Sequence, residues 1–151
     1  MEQIVQLNSQ ANLSEHFKLG EFTRSNSHPE VYNIPTHEAI ANLKRVCGWL
    51  EVLRSRAGGP ICINSGYRSP QLNKKIGGVP TSNHLTGCAV DIRVADMGQL
   101  IRYAAILLDY SEESNQDFDE LLIERNRYGA IWLHFAVRPN GNRRKVSFIN
   151  A

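Results

Sequence analysis

The chain has 151 residues, enough for one domain with a proper hydrophobic core and too few for two domains of ordinary size. A hydrophobic content of 42% and a charged content of 21% are typical of globular proteins and exclude a disordered or fibrous chain. The net charge of +2 is small and is not gathered into a stripe of Lys and Arg, so no nucleic-acid partner is expected.

The beginning of the chain carries no visible targeting signal. Residues 1–15 are polar and aperiodic, and they are predicted to form an arm that precedes a single domain over residues 16–151. No basic segment followed by an apolar run is present, so a secretory signal is not predicted. No apolar stretch is long enough to span a membrane.

His16, His28 and His37 have no acid at a meaningful spacing and are interpreted as surface or capping residues.

A long helix is predicted to begin after Thr36, which suits the N-cap, and to end at Gly58. Apolar residues recur at three- and four-residue steps along one face, which indicates packing against a core. They are Ala39, Ile40, Leu43, Val46, Cys47, Leu50 and Leu53. The three cysteines, Cys47, Cys62 and Cys88, have no C-x-x-C spacing and are interpreted as small buried hydrophobes.

A buried strand is predicted over residues 61–67, and it delivers Arg68 into a Pro-containing loop at residues 69–73. There the planar guanidinium could bind a carboxylate, or it could form an ordinary surface salt bridge. Residues 74–81 contain two glycines and a proline and are predicted to be a flexible connection.

Residues 88–94 alternate as a strand should, so Asp91 is expected to point away from the apolar face. His84 lies seven residues earlier, and Gly87 permits the chain to turn back between the two. His134 lies in a second alternating run, residues 130–138, on the face opposite its apolar residues. Two imidazoles and one carboxylate are a common catalytic zinc set. From these residues alone, a metal site and a simple hydrogen-bonded cluster both remain open.

The remaining elements are predicted from periodicity and caps. Asp96 is expected to cap a second helix with Gln99 at the capping-box position. Its buried side is predicted to contain Met97, Leu100, Ile101, Ala104 and Leu108. Residues 109–117 are interpreted as an acidic surface turn, residues 120–124 and 130–138 as a hairpin, and residues 145–149 as an edge strand.

Three motifs in order carry a resemblance to a known family. They are SGYRSP at residues 65–70, Ser-x-His-x-x-Gly-x-Ala-x-Asp at residues 82–91, and Trp-Leu-His at residues 132–134. Together they resemble the zinc D-alanyl-D-alanine carboxypeptidase family, which includes peptidoglycan dipeptidases and phage endolysin peptidases and shares its fold with the hedgehog signalling domain. The resemblance covers roughly residues 17–135.

The resemblance implies one zinc ion per chain, with His84, Asp91 and His134 as ligands. Because an imidazole must be neutral to bind zinc, the affinity for zinc is expected to weaken as the pH drops below about 6. It also implies that Arg68 binds a substrate carbonyl or carboxylate, and we include Ser82 and Tyr67 from the same motifs as substrate-binding residues.

The general base is where the chain departs from the pattern. Several members of the family have a glutamate three residues before the last histidine, and this chain has Ile131 there. Members with the same Phe-Asp opening carry an acid at the position of Glu124, which is therefore the predicted base. In the alternative interpretation, Glu124 pairs with Arg125 or Arg127 in the hairpin loop.

The expected fold is α+β, with two main helices on one face of a small, mostly antiparallel sheet and the site on the other. The expected function is that of a zinc peptidase, a carboxypeptidase or an endopeptidase, acting on peptidoglycan stem peptides in the bacterial cell wall. The alternatives are a zinc-containing but catalytically silent binding module and a metal-free structural domain. We expect a monomer that stays cytoplasmic until it is released to act on cell wall, with a phage- or prophage-type route as one possibility.

Overall fold

A computed structural model describes residues 9–25 and 27–151. Within these residues the chain forms four α-helices, a short 3-10 helix over Asn83–Thr86 and a five-stranded sheet. The helices are α1 (Gly20–Thr23), α2 (His37–Ala57), α3 (Pro70–Lys75) and α4 (Met97–Ser114). The strands are β1 (Ile63–Ser65), β2 (Ala89–Arg93), β3 (Glu120–Arg125), β4 (Ile131–Ala136) and β5 (Lys145–Asn150).

The sheet has the strand order β1-β2-β4-β3-β5. Every pairing is antiparallel except that of β3 with β5, which is parallel. The expected α+β class and the mostly antiparallel sheet are therefore confirmed. No helix among the described residues is both long and apolar enough to cross a membrane.

The core lies between the two long helices and one face of the sheet. On the central strands it takes alternate residues, and the residues between them, including Asp91 and His134, belong to the other face. The strand residues of the core are Val90, Ile92, Leu121, Ile123, Leu133 and Phe135. This alternation leaves one face of the sheet for polar chemistry.

The ends of the long helices agree with the caps predicted from the sequence. The hydroxyl of Thr36 accepts a hydrogen bond from the backbone N–H of Ala39 at 3.0 Å, which caps α2. Gly58 follows the helix in the left-handed conformation, with φ +80°. At α4, Asp96 accepts from the N–H of Gln99 at 2.8 Å.

The buried side of α4 differs from the predicted one. Met97 and Ile101 are 41% and 47% exposed, whereas Tyr103 and Leu107 are buried. At 3.6 residues per turn, Met97 and Ile101 lie about 60° and 100° around the helix from Leu100, at the edge of the buried stripe. The helix also continues to Ser114 and ends where Asn115 adopts a left-handed conformation, so residues 109–114 are helical and not part of a turn.

Two further predictions need correction. The loop after Arg68 is helix α3, because Ser69 caps it and Pro70 suits its first position. Cys62 is exposed, in contrast to the buried Cys47 and Cys88. Its neighbours Ile61 and Ile63 are both buried, so alternation along the extended chain turns the side chain between them outward.

The predicted N-terminal arm lies partly outside the described residues, which begin at Ser9. Its described part packs against the domain, since Leu13 is buried and the hydroxyl of Ser14 donates a hydrogen bond to Glu51 on α2. Two of the three histidines predicted to have no partner acid do have one. Nδ1 of His16 lies 2.6 Å from the same Glu51 carboxylate, and Nδ1 of His28 lies 3.3 Å from Oε1 of Glu30.

Candidate metal centre

The fold brings the three predicted ligands together on the polar face of the sheet. Asp91 on β2 lies directly opposite His134 on β4 in the antiparallel register. The 3-10 helix that precedes β2 carries His84 back over the same face. One potential ligand atom from each of the three side chains lies within 4.8 Å of the others, and all three residues are buried.

The turn between His84 and Asp91 has tight local requirements. The hydroxyl of Ser82 caps the 3-10 helix by accepting from the N–H of His84 at 3.1 Å. Gly87 ends the turn with φ +76°, and a Cβ built there would lie 2.4 Å from the carbonyl oxygen of Ala39 on α2. Only glycine combines this conformation with so close a backbone approach.

Each imidazole has one nitrogen hydrogen-bonded to an acceptor, the Gly66 carbonyl or the Glu120 carboxylate, while its other nitrogen faces Asp91. Nδ1 of His84 lies 2.7 Å from the carbonyl oxygen of Gly66, and its Nε2 lies 3.4 Å from Oδ2 of Asp91. Nε2 of His134 lies 3.0 Å from Oε1 of Glu120, and its Nδ1 lies 3.1 Å from Oδ1 of Asp91. The Gly66 carbonyl and the Glu120 carboxylate can only accept, so Nδ1 of His84 and Nε2 of His134 carry protons. The other two nitrogens face Asp91, and a metal ion held by Asp91 would take the place of any proton on them. The nitrogens available to a metal are therefore Nε2 of His84 and Nδ1 of His134.

The electrostatics of the cluster favour a positive charge between these side chains. Burial acts to raise the pKa of Asp91, but the imidazoles of His84 and His134 hold that pKa well below its usual range. Burial acts to lower the pKa of His134, but hydrogen bonds to Asp91 and Glu120 raise it to about 10. Two imidazoles and a carboxylate with this preference for a cation fit zinc as a ligand set.

Arg68 lies beside the cluster and does not form the surface salt bridge that was the alternative. Its Nη2 is 3.3 Å from Oδ2 of Asp91, and its Nε donates to the hydroxyl of Ser65 at 3.3 Å. Burial lowers the pKa of the guanidinium, although Asp91 and Glu124 oppose this shift. Arginine remains charged at neutral pH nonetheless, so Arg68 places a cation next to the carboxylate of Asp91.

Glu124 lies on the same side of the sheet as His134. In the register of β3 with β4, Leu122 is opposite His134 and Glu124 is opposite Trp132, so these side chains share a face. The carboxylate of Glu124 accepts a hydrogen bond from the indole N–H of Trp132. Burial and the nearby charge of Asp91 raise its pKa. Among the described residues, Glu124 forms no ion pair with Arg125 or Arg127, which was the alternative.

Ile131 lies on the other face of β4 and packs against the core. Because side chains alternate along a strand, a residue three positions before His134 points away from it. Besides Asp91 on β2, the acids that share the face of His134 therefore come from the neighbouring strand β3, as Glu120 and Glu124 do.

A cavity of about 690 Å³ opens over the cluster, and its lining includes His84, Asp91, His134, Arg68, Glu120 and Glu124. Ser82 is also part of the lining. Tyr67 is 6% exposed and belongs to the hydrophobic core, where the carbonyl oxygen of this residue accepts from Asn33 at 3.0 Å. The structure thus brings Ser82 to the site and leaves the Tyr67 side chain in the core.

Sequence reasoning did not identify the groups that hold the imidazoles. Gly66 acts through its backbone carbonyl, for which a sequence carries no signal. Glu120 shares a strand face with Glu124, so alternation indicated its side but not its contact with His134. Asn83 stands inside the motif at residues 82–91, and its hydrogen bonds to Asp119 and Glu120 depend on the distant strand β3.

Two sequence comparisons relate the chain to known proteins. Over 84 residues the chain is 31% identical to the zinc D-Ala-D-Ala carboxypeptidase of Streptomyces albus G. The alignment covers 55% of this chain and 33% of that protein, so the chain spans about a third of the length of this relative. A model of the family Peptidase M15 matches residues 15–121, which include His84 and Asp91 and end before Glu124 and His134. Since that match covers more than half of the chain, the chain belongs to the Peptidase M15 family, as the three motifs predicted.

Proposed function

We propose that the protein is a zinc peptidase that hydrolyses peptide bonds in the stem peptides of peptidoglycan. The observation that carries the proposal is the buried cluster of His84, Asp91 and His134, which shares one cavity with Arg68 and Glu124. Membership of a peptidase family and the likeness to a zinc D-Ala-D-Ala carboxypeptidase support it.

The chemistry follows from the residues of the cavity. His84, Asp91 and His134 would hold one zinc ion per chain, which lowers the pKa of water and polarises a carbonyl group. Glu124 is proposed as the general base, taking the proton of the attacking water and passing it to the leaving amine. Its raised pKa suits this role, because a carboxylate that holds a proton more readily is a better proton carrier near neutral pH.

Arg68 and Ser82 are proposed to bind the substrate. The guanidinium of Arg68 could stabilise negative charge on the carbonyl oxygen as the tetrahedral intermediate forms, or it could bind a terminal carboxylate. Ser82 lines the same cavity beside His84. Tyr67 is not included as a substrate contact, because its side chain lies in the core.

The substrate class rests on the family and on the name of the relative. Stem peptides contain D-alanine, and the relative is named for the hydrolysis of D-Ala-D-Ala. The proposal includes both removal of a terminal D-alanine and cleavage within the stem.

Incubation of the zinc-loaded protein with purified muropeptides, followed by mass spectrometry, tests the proposal. Loss of one D-alanine would identify a carboxypeptidase, and two peptide fragments would identify an endopeptidase. The matched controls are metal-stripped protein and a His84→Ala, His134→Ala double variant. If zinc is bound and no muropeptide changes mass, the protein is the catalytically silent binding module of the alternative interpretation.

A further inference from the structure

Glu120 and Asn83 connect the two elements that carry the histidines. Oε1 of Glu120 accepts from Nε2 of His134 at 3.0 Å and from the side-chain amide of Asn83 at 2.7 Å. Its other oxygen lies 3.5 Å from Nη2 of Arg143, and the side chain is 15% exposed. Asn83 immediately precedes His84 in the 3-10 helix. One carboxylate oxygen of Glu120 thus binds both the ring of His134 and the side chain of Asn83, the residue next to His84.

Asn83 is itself held at both ends of its amide. Its Oδ1 accepts from Nε of Arg138 at 2.9 Å, and its Nδ2 also donates to Oδ2 of Asp119 at 2.8 Å. Arginine can only donate and carboxylates only accept, so these partners fix which end of the amide faces Glu120. Asp119 is fully buried and forms a two-bond ion pair with Arg143, at 3.0 and 2.8 Å. Glu120 therefore belongs to a fixed network.

We propose that Glu120 is a positioning residue of the metal site and that Asn83 holds Glu120 in place. The inference rests on the proposed zinc site. By accepting from Nε2, Glu120 keeps a proton on that nitrogen, so that Nδ1, which faces Asp91, is the nitrogen left to bind a metal ion. A carboxylate behind a ligand histidine also raises the basicity of the ring, and loss of such a partner typically weakens metal binding by about 10- to 100-fold.

This role separates Glu120 from Glu124, which lies four residues further along the same strand face. Both oxygens of Glu120 face protein groups, including His134, Asn83 and Arg143. Glu124 is hydrogen-bonded to Trp132 and has a raised pKa. The two acids should therefore differ in what their removal changes: zinc affinity for Glu120, and turnover for Glu124.

Zinc affinity of the metal-free protein, measured by competition with a chromophoric chelator, tests the inference. Glu120→Gln and Glu120→Ala should weaken binding by about 10- to 100-fold. Glu124→Gln is the matched control, being the same substitution on the same face without a contact to His134, and should leave affinity within about threefold. The visible spectrum of the cobalt(II)-loaded protein should shift in the Glu120 variants only, because it reports the arrangement of the ligands. Thermal unfolding of each metal-free variant shows whether it is folded.

The possible outcomes separate this inference from the proposed function. If the wild-type protein binds no zinc, both are wrong. If it binds zinc and both Glu120 variants bind as tightly, the positioning role alone is wrong. Imidazole ¹⁵N shifts of the zinc-loaded wild type give a test without any variant, because His134 should carry its proton on Nε2. A proton on Nδ1 would overturn the inference.

The contribution of Asn83 is tested by a double-mutant cycle with Asn83→Ala and Glu120→Ala. If Asn83 acts through Glu120, its substitution should weaken zinc binding in the wild-type background and have little further effect once Glu120 is absent. Fully additive effects would show that Asn83 does not act through Glu120.

Discussion

Substitution of Glu124 by glutamine should separate catalysis from metal binding. Glutamine keeps the shape of the side chain and an oxygen that can accept from Trp132, but it cannot take a proton at neutral pH. General base catalysis typically contributes about 10²- to 10⁴-fold to a rate. At about 1.36 kcal/mol for each factor of ten, this is roughly 3 to 5 kcal/mol of transition-state stabilisation. We therefore expect turnover to fall by about a hundredfold or more, with zinc occupancy unchanged.

The assay is turnover of a muropeptide that the wild-type protein cleaves, followed by mass spectrometry, with zinc content measured on the same samples. Trp132→Phe is the matched control, because it keeps the carboxylate and removes its hydrogen-bond donor. That hydrogen bond lowers the pKa of Glu124, so its loss should raise this pKa. The acid limb of the profile of turnover against pH should then shift to higher pH. Turnover of the Glu124→Gln variant within threefold of wild type would refute the assignment of the base.

The other predictions concern metal binding, substrate binding and the turn. The pKa of His134 in the metal-free protein is raised from 6.5 to about 10, so zinc must displace a proton throughout this interval. Chelator competition should show affinity falling about tenfold per unit of decreasing pH between pH 8.5 and 6.5, not only below pH 6, and a flat profile would contradict this. Proton binding by His134 should stabilise the metal-free fold fully below pH 6.5, with this contribution lost as the pH rises through about 10. Arg68→Ala should lower kcat/KM for muropeptides by about a hundredfold while zinc remains bound, and unchanged kinetics would exclude a substrate contact. Gly87→Ala should cost more unfolding free energy than Gly129→Ala, because both have positive φ but only Gly87 would place a Cβ against the backbone of Ala39. Chemical denaturation measures the free energy of unfolding of both variants. Gly129→Ala, the control, should cost about 1–2 kcal/mol from its backbone conformation alone. Equal losses in the two variants would contradict the argument from close approach.

Local sequence patterns determined the elements that carry the site. Three- and four-residue periodicity with caps at Thr36 and Asp96 located the long helices, because a helix face and its N-cap are set within a few turns of chain. Two-residue alternation put Asp91 and His134 on the polar side of their strands for the same local reason. The three motifs also indicate the family, because each is a short run of residue types that is local in the sequence.

Sequence patterns gave the wrong buried face for one helix and missed another, because tertiary packing decides these features. The buried stripe of α4 is centred between Leu100 and Leu107, because the helix contacts α2 and the sheet there. Met97 and Ile101 lie outside this stripe. Helix α3 was missed because it is only six residues long and its one clear signal is Ser69 followed by Pro70.

Only the tertiary structure decided which groups the acids of the site contact. Alternation states which face a strand residue occupies, but not which residue of another strand lies next to it. The register of β3 against β4 places Leu122, not an acid, opposite His134, so that Glu120 reaches the ring from one side and Glu124 binds Trp132 on the other. Strand register is fixed by contacts between residues far apart in the chain, and a local pattern carries no information about them.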